Sequence, residues 1–427
     1  MGFVKNFLLG AATAAHQVEG NNIHSDFWRQ EQMKNGGFAQ PSGDAVDHYH
    51  RYEEDIRLLA QAGLNAYRFS IEWARIEPEE GRFDERELAH YRDVLACCKA
   101  NRVTPVVTLH HFSSPAWLIE QGGWESEATV EYFARYAGYI AEHLGGELEY
   151  VCTINEANMG VQVAAVAKRY MQQMMRRPAK QGGAGVQAGL DLQTVLAERR
   201  KAAAAETMAA FGVEKAETFT TPRTEQGDEI IRRAHRAAVK ELKIRCPHLK
   251  VGLTLSLHDI QPQTGGEEEA LRQWREEFLH YLPDIREDDF LGVQNYTRVL
   301  VNADGSMPAP EGAELTQMDY EFYPQGLEHV LRKVTEEFHG TLLVTENGVA
   351  TADDGRRVVF IDEALAGVKR CVADGLPVAG YFYWSLLDNF EWQKGYSMTF
   401  GLIGVDRATQ TRYPKGSLRH LGGYAGI

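Results

Sequence analysis

The feature that most constrains this chain is a repeated alternation: about eight short apolar runs, rich in β-branched and aromatic residues, each followed by a longer helical pattern. The runs are FLLGAA near Phe7, LNAYRFSI from Leu64, TPVVTLHH from Thr104, YVCTINE from Tyr150, KVGLTLS from Lys250, FLGVQNY from Phe290, TLLVTEN from Thr341 and PVAGYFYWSL from Pro377. Their hydrophobicity is continuous rather than alternating, as strands covered on both faces require, so parallel strands are expected. Amphipathic stretches separate them. In DAVDHYHRYEEDIRLLAQAG, Asp44 is expected to cap a helix, Tyr52, Ile56 and Leu59 to share one face, and Gly63 to end it. A length of 427 residues is also that of two or three average domains. Because no linker or break in composition interrupts the alternation, the reading is an α/β fold: a single (β/α)8 barrel over residues 1–427 with elaborated βα loops.

Composition narrows the partners. With 44 % hydrophobic and 25 % charged residues the chain is an ordinary globular protein, neither disordered nor collagen-like. The net charge is −15 and no basic block is interleaved with aromatics, which argues against nucleic acid and anionic membranes. Five cysteines, two of them the adjacent Cys97 and Cys98 and none in a CxxC pair, indicate neither a disulfide framework nor a structural zinc site, so a reducing cytoplasm fits best. Lys5 ahead of the apolar stretch Phe7 to Ala15 imitates a short secretory signal, but that stretch is needed as the first strand. No apolar run approaches the roughly 20 residues of a membrane span.

In a barrel of this kind the active site forms at the carboxyl ends of the strands, and polar residues gather there. Arg68 lies near the end of the second strand, His110 and His111 end the third, Asn155 and Glu156 the fourth, Asn295 and Tyr296 the sixth, Glu346 and Asn347 the seventh, and Trp384 the eighth, with Asp388 beyond. The alternative is that these are loop starts with solvated side chains. Glu156 and Glu346 stand on opposite strands, and closure of the barrel would set them face to face. Paired carboxyl groups suit glycosidic bond cleavage, one protonating the leaving oxygen while the other, ionised, attacks the anomeric carbon; a retaining site needs them about 5 to 5.5 Å apart. Arg68 is placed to hold Glu346 as an anion, whereas Glu156 follows Val151, Cys152 and Ile154 with no cation beside it in the chain and can keep its proton. Each glutamate taken alone also reads as a salt-bridged strand terminus.

Two pairs of histidines are not read as metal sites. His48 and His50 are two apart on a helix and so do not face one another, and His110 and His111 are successive strand residues pointing to opposite faces. Neither metal nor cofactor is expected. Residues 159–224 are the least regular part, with Met171, Met174, Met175 and Met208 and the patch GGAGVQAG; they are expected to form helix plus a long loop over the barrel mouth. The glycines do not follow a strand and open a helix, so they do not resemble a phosphate-cradling loop.

These residues together resemble glycoside hydrolase family 1, the β-glucosidase and β-galactosidase group, over nearly the whole chain. TINEA, Thr153 to Ala157, is similar to the acid/base motif TxNEP, which implies Glu156 as acid/base and Asn155 as the partner of the sugar 2-hydroxyl. VTENG, Val344 to Gly348, resembles the nucleophile motif and implies Glu346 in that role. AAHQVEG resembles the segment whose glutamine, here Gln17, holds sugar hydroxyls, and TLHHFSSP the one whose histidine, here His111, binds the 3-hydroxyl. In YWSLLDNFEW the resemblance makes Trp384 the platform under the pyranose ring, gives Glu391 the 4- and 6-hydroxyls, and lets Trp392 reach the 3-hydroxyl. In GVQNYTR, Tyr296 corresponds to the tyrosine that donates to the nucleophile. Indole under the apolar face of a pyranose, with carboxylate, amide and imidazole around its hydroxyls, agrees with the physics of sugar binding.

The chain departs from the family's pattern in two places. Ala157 replaces proline after the acid/base, and the usual glycine-rich continuation is absent, so the leaving-group side of the cleft is expected to be shaped by the unusual segment. Members acting on 6-phosphosugars carry a serine and a lysine after the last tryptophan motif; here GYSMTFG has Ser397 but Met398 and Thr399, and Trp392 is kept. The expectation is therefore a retaining, exo-acting β-glucosidase on non-phosphorylated glycosides or short oligosaccharides, with some tolerance for galactosides or fucosides. A transglycosidase using the same glutamates and a sugar-binding barrel without turnover are the alternatives. A homo-oligomer is left open.

Overall fold

The computed structural model describes residues 3, 6–176, 192–303, 305 and 309–425, and of residues 169–176 and 192–200 the backbone alone. Eight parallel strands close into a barrel: β1 (Leu8–Ala12), β2 (Ala66–Ser70), β3 (Thr104–His110), β4 (Tyr150–Ile154), β5 (Lys250–Ser256), β6 (Phe290–Gln294), β7 (Thr341–Asn347) and β8 (Val378–Trp384). Each pairs with its neighbour in the chain, and β1 closes on β8 with Ala12 beside Trp384. Each of the eight expected runs contains one of these strands. Successive residues on a strand point to opposite sides, so each strand feeds two cores. Leu8, Ala66, Val106, Cys152, Phe290, Leu343 and Phe382 fill the barrel interior, while Leu9, Tyr67, Val107, Val151, Leu291, Val344 and Tyr381 pack outward under the helices.

The helix His48–Gln61 corrects one expectation. Asp44 does not cap it: the chain turns first, with Asp47 N–H donating to the Asp44 carbonyl at 2.8 Å, and Asp47 enters the helix in a left-handed conformation (φ 53°). The Asp44 carboxylate instead accepts from Asn21 Nδ2 at 2.8 Å. At the other end Gly63 has φ +99°, a conformation that favours glycine, and ends the helix as expected. Two short parallel strands at the mouth, Asp259–Pro262 and Arg298–Val301, were not foreseen, because neither carries the continuous apolar pattern of a barrel strand.

The segment after Glu156 is more helical than expected, with helices Met159–Arg176 and Leu192–Phe211. The chain returns beside the point where it left: Arg223 Nη1 donates to the Ala157 carbonyl at 2.7 Å, and Arg223 N–H to the Gly160 carbonyl at 3.2 Å. Phe211 is buried against Ala116 and Ile119. The glycine patch and the side chains of Met171, Met174 and Met175 lie outside the described residues. Among the described residues no helix is long and apolar enough to cross a membrane.

Candidate active site

The two glutamates occupy the carboxyl ends of β4 and β7, in environments built by different strands. Glu346, near the end of β7, accepts from Arg68 Nη1 at 2.6 Å on Oε1 and from Tyr296 Oη at 2.5 Å on Oε2. His111 Nε2 stands 3.9 Å from the same Oε1. Arg68 is fully buried on β2 and its fork divides: Nη2 donates to Asn155 Oδ1 at 2.5 Å. One guanidinium thus joins the strand end that carries Glu346 to the one that carries Glu156.

Glu156 is built differently. It is a non-glycine residue at φ 44°, a left-handed conformation that costs energy and persists only where its surroundings impose it. Thr254 on β5 imposes it: Thr254 Oγ1 accepts from Glu156 N–H at 3.0 Å, and the Thr254 carbonyl accepts from Ala157 N–H at 3.1 Å. The turn aims the carboxyl over the barrel without giving it a cation of its own.

The electrostatics follow from these contacts. Burial raises the Glu346 carboxyl above its ordinary range, and Arg68 and the Tyr296 hydroxyl pull it back. Arg68 stands beside Glu346 where the sequence reading put it and favours the anion, although exclusion of water outweighs its pull on the carboxyl. Burial, then the nearby Glu346 charge, push Glu156 well above the carboxyl range, with Arg68 only partly opposing them. Of the two, Glu346 is the one whose anion has direct hydrogen-bonding partners. Burial raises the Tyr296 phenol well above its usual value, which keeps it a donor, and burial with Arg68 lowers His111 well below, which keeps its imidazole neutral.

The other expected residues converge on the same cleft. Trp384 ends β8, nearly buried, with its indole stacked against His111 at 5.6 Å between ring centroids. Gln17 Nε2 donates to the Phe390 carbonyl at 2.7 Å and to Glu391 Oε2 at 3.3 Å. The Glu391 carboxyl is pushed up to about 8 by burial and the Glu346 charge, against hydrogen bonds from Gln17 and Trp384. Trp392 is stacked on His16 at 5.9 Å and reaches Phe112 and His111. Gln17 Oε1 is buried with no partner among the described residues, and such an atom is one a ligand's hydroxyl would satisfy. Among the described residues no group of three or more His, Cys, Asp or Glu could hold a metal ion.

Other polar residues at the strand ends serve the scaffold instead. His110 packs away from the cleft against Trp124 and Phe219 and meets Ser114 Oγ at 3.0 Å. Asn295 Nδ2 donates to the Leu257 and Thr297 carbonyls, Asn347 bridges the Asn295 carbonyl and Tyr381, and Asp388 pairs with Lys415 at 2.7 Å. Thr254 and Gln294, which hold Asn155 and Glu156 from below, escaped the sequence reading. The available signal was parity, since Gln294 is a polar residue at an inward position of β6, two beyond Gly292.

Comparison with known proteins identifies the family to which this barrel belongs. The family model for glycosyl hydrolase family 1 matches residues 1–424. Beta-glucosidase A of Thermotoga maritima is 30 % identical, over 97 % of this chain and 96 % of that protein. The 6-phospho-beta-galactosidase of Lacticaseibacillus casei is 29 % identical over 97 % and 96 %. The crystal structure of beta-glycosidase BGL167 superposes with a TM-score of 0.87 at 46 % identity, covering 99 % of this chain and 97 % of that one. A closed eight-stranded barrel, a buried carboxyl pair at its mouth and a family match along nearly the whole length lead to one assignment: the chain is a glycoside hydrolase and belongs to glycosyl hydrolase family 1.

Proposed function

We propose that the chain is a retaining, exo-acting β-glucosidase in which Glu346 attacks the anomeric carbon and Glu156 first protonates the leaving oxygen, then deprotonates the water that releases the sugar. The observation that carries this reading is the unequal treatment of two neighbouring carboxyls: Glu346 has a guanidinium and a phenol on it, whereas Glu156 has burial and a like charge. Asn155 takes the sugar 2-hydroxyl, Gln17, His111, Glu391 and Trp392 the remaining hydroxyls, and Trp384 the apolar face of the ring.

A non-phosphorylated sugar is favoured by the segment that follows. Ser397 Oγ is engaged by the Lys394 carbonyl at 2.7 Å, Thr399 Oγ1 by Gln317 at 2.9 Å, and Met398 packs on the cluster containing Trp384 and Phe400. The whole chain is proposed to act as one barrel unit, with residues 159–224 framing the leaving-group side, since their two ends are pinned together at Ala157 and Gly160. Five free cysteines support a reducing, cytoplasmic setting.

The test is hydrolysis of nitrophenyl β-glucoside by wild type and two variants. Glu346→Ala should lose turnover and, given azide, yield the inverted α-glucosyl azide. Glu156→Ala should lose roughly 10²- to 10⁴-fold on poor leaving groups while sparing activated ones, and azide should give the β-product. Equal losses on every substrate would refute the division of roles; sugar affinity without turnover in wild type would make the protein a binding barrel, and transfer exceeding hydrolysis at high acceptor would make it a transglycosidase.

A further inference from the structure

Beneath the carboxyl pair lies a buried polar cluster centred on the Asn155 amide. Gln294, the last residue of β6, is fully buried and donates from Nε2 to Asn155 Oδ1 at 2.8 Å and toward Thr254 Oγ1 at 3.5 Å. Thr254 Oγ1 itself lies 3.3 Å from Asn155 Oδ1. With Arg68 Nη2 at 2.5 Å, that one carbonyl oxygen faces three donor groups from three different strands, β2, β5 and β6.

This convergence fixes the direction of the Asn155 amide. A guanidinium carries only donors, so the Asn155 atom beside Arg68 is the oxygen, and the Gln294 atom beside that oxygen is the nitrogen. The Asn155 NH₂ is thereby turned to the cleft, where Nδ2 meets His111 Nε2 at 3.1 Å. That contact uses one of its two N–H groups; the second is left for a ligand. Arg68 alone would not secure this, because the same guanidinium must also follow the charge of Glu346 through the reaction, whereas Gln294 and Thr254 are neutral and attached to other strands. Gly292 makes room for the arrangement: a Cβ there would lie 2.5 Å from Thr254 Cγ2 and 2.9 Å from Thr345 Oγ1.

We propose that Gln294, seconded by Thr254, is a positioning residue that holds the Asn155 amide with its N–H toward the sugar 2-hydroxyl. This rests on the reading of Asn155 as the partner of that hydroxyl. Gln294 does not touch the substrate; it acts through Asn155.

The experiment compares kcat/KM for nitrophenyl β-glucoside and its 2-deoxy counterpart in wild type and in Gln294→Met, a variant of similar size without donors. The ratio of the two substrates within one protein is independent of how much of the preparation is folded. Wild type should prefer the 2-hydroxy substrate strongly; in Gln294→Met the glucoside should fall about 10- to 30-fold, the size of a lost hydrogen bond to an oriented buried amide, while the 2-deoxy substrate changes less than about threefold. In an Asn155→Ala background the substitution should then cost the glucoside little more. A Gln294→Met variant that loses both substrates equally, or that keeps the wild-type ratio, overturns the inference. If wild type shows no preference for the 2-hydroxyl at all, or no activity on the glucoside, it is the reading of Asn155 and the site that fails instead.

Discussion

At the scale of single residues the proposed chemistry turns on two carboxyl groups whose proton affinities are separated by their neighbours. Both are raised by burial, but only Glu346 is opposed by a direct guanidinium and a phenol. In the proposed mechanism the active state has Glu346 ionised and Glu156 protonated, so activity should be lost as pH falls through the lower apparent pKa of the pair and again as it rises through the higher one. Because burial lifts both, the active window is displaced upward from that of two solvated carboxyls. Tyr296→Phe removes a donor that stabilises the anion and therefore raises the affinity of Glu346 for its proton. The acid limb of the kcat/KM profile should move to higher pH while the basic limb, governed by Glu156, stays nearly in place. An acid limb that stays put or moves down would mean the phenol does not stabilise the charge of Glu346.

At the scale of elements, the barrel is held by strands whose inward positions are apolar below and polar above. On β6 the inward residues run Phe290, Gly292, Gln294, from packed core to site support. Gly292→Ala should cost about 1–3 kcal/mol by overpacking against the Thr254 and Thr345 side chains, neither of which is a long flexible chain that can move aside. Chemical denaturation would measure this, and a variant as stable as wild type would show that the interior has slack at that layer. The eight strands were legible because burial on both faces demands unbroken apolar runs, a pattern few helices share at that length. Asp44 misled because a capping residue and a turn residue look alike in sequence; only the left-handed Asp47 distinguishes them. Gln294 was hidden for a related reason. One polar residue at the end of an apolar strand carries no period, and its meaning depends on Asn155, which belongs to another strand.

For the molecule as a whole, sequence order says little about which distant segments lock together, and the carboxyl pair was legible because both glutamates end strands of a closing barrel and because their motifs resemble those of a known family. A second long-range junction had no such motif. Arg412, near the C-terminal end, is buried with Asp55 of the helix His48–Gln61, donating from Nε at 2.7 Å and from Nη2 at 2.8 Å. Asp55 also meets His48 Nδ1 at 2.7 Å, His48 Nε2 lies 3.0 Å from Tyr67 Oη, and Tyr67 Oη lies 2.6 Å from Thr13 Oγ1. The chain thus ties the segment beyond β8 to a helix and to β1 and β2, across the seam where the barrel closes. Hydrogen bonds from Arg412 and His48 outweigh burial and hold the Asp55 carboxyl below its ordinary value. A depressed carboxyl contributes stability above its unfolded pKa, near 3.8, and loses that contribution as pH falls through the folded value. Arg412→Met removes the cation but leaves the carboxyl buried, and should cost about 3–5 kcal/mol at neutral pH. Without Arg412, burial raises the folded pKa of Asp55, so the variant's deficit should shrink as the medium is acidified and Asp55 protonates. Asp55→Asn in the Arg412→Met background should recover part of the neutral-pH loss. Denaturation curves at pH 7 and pH 4 would decide the matter: a deficit that is equal at both would assign the loss to the packing of the arginine stem and not to an unpaired charge at the seam.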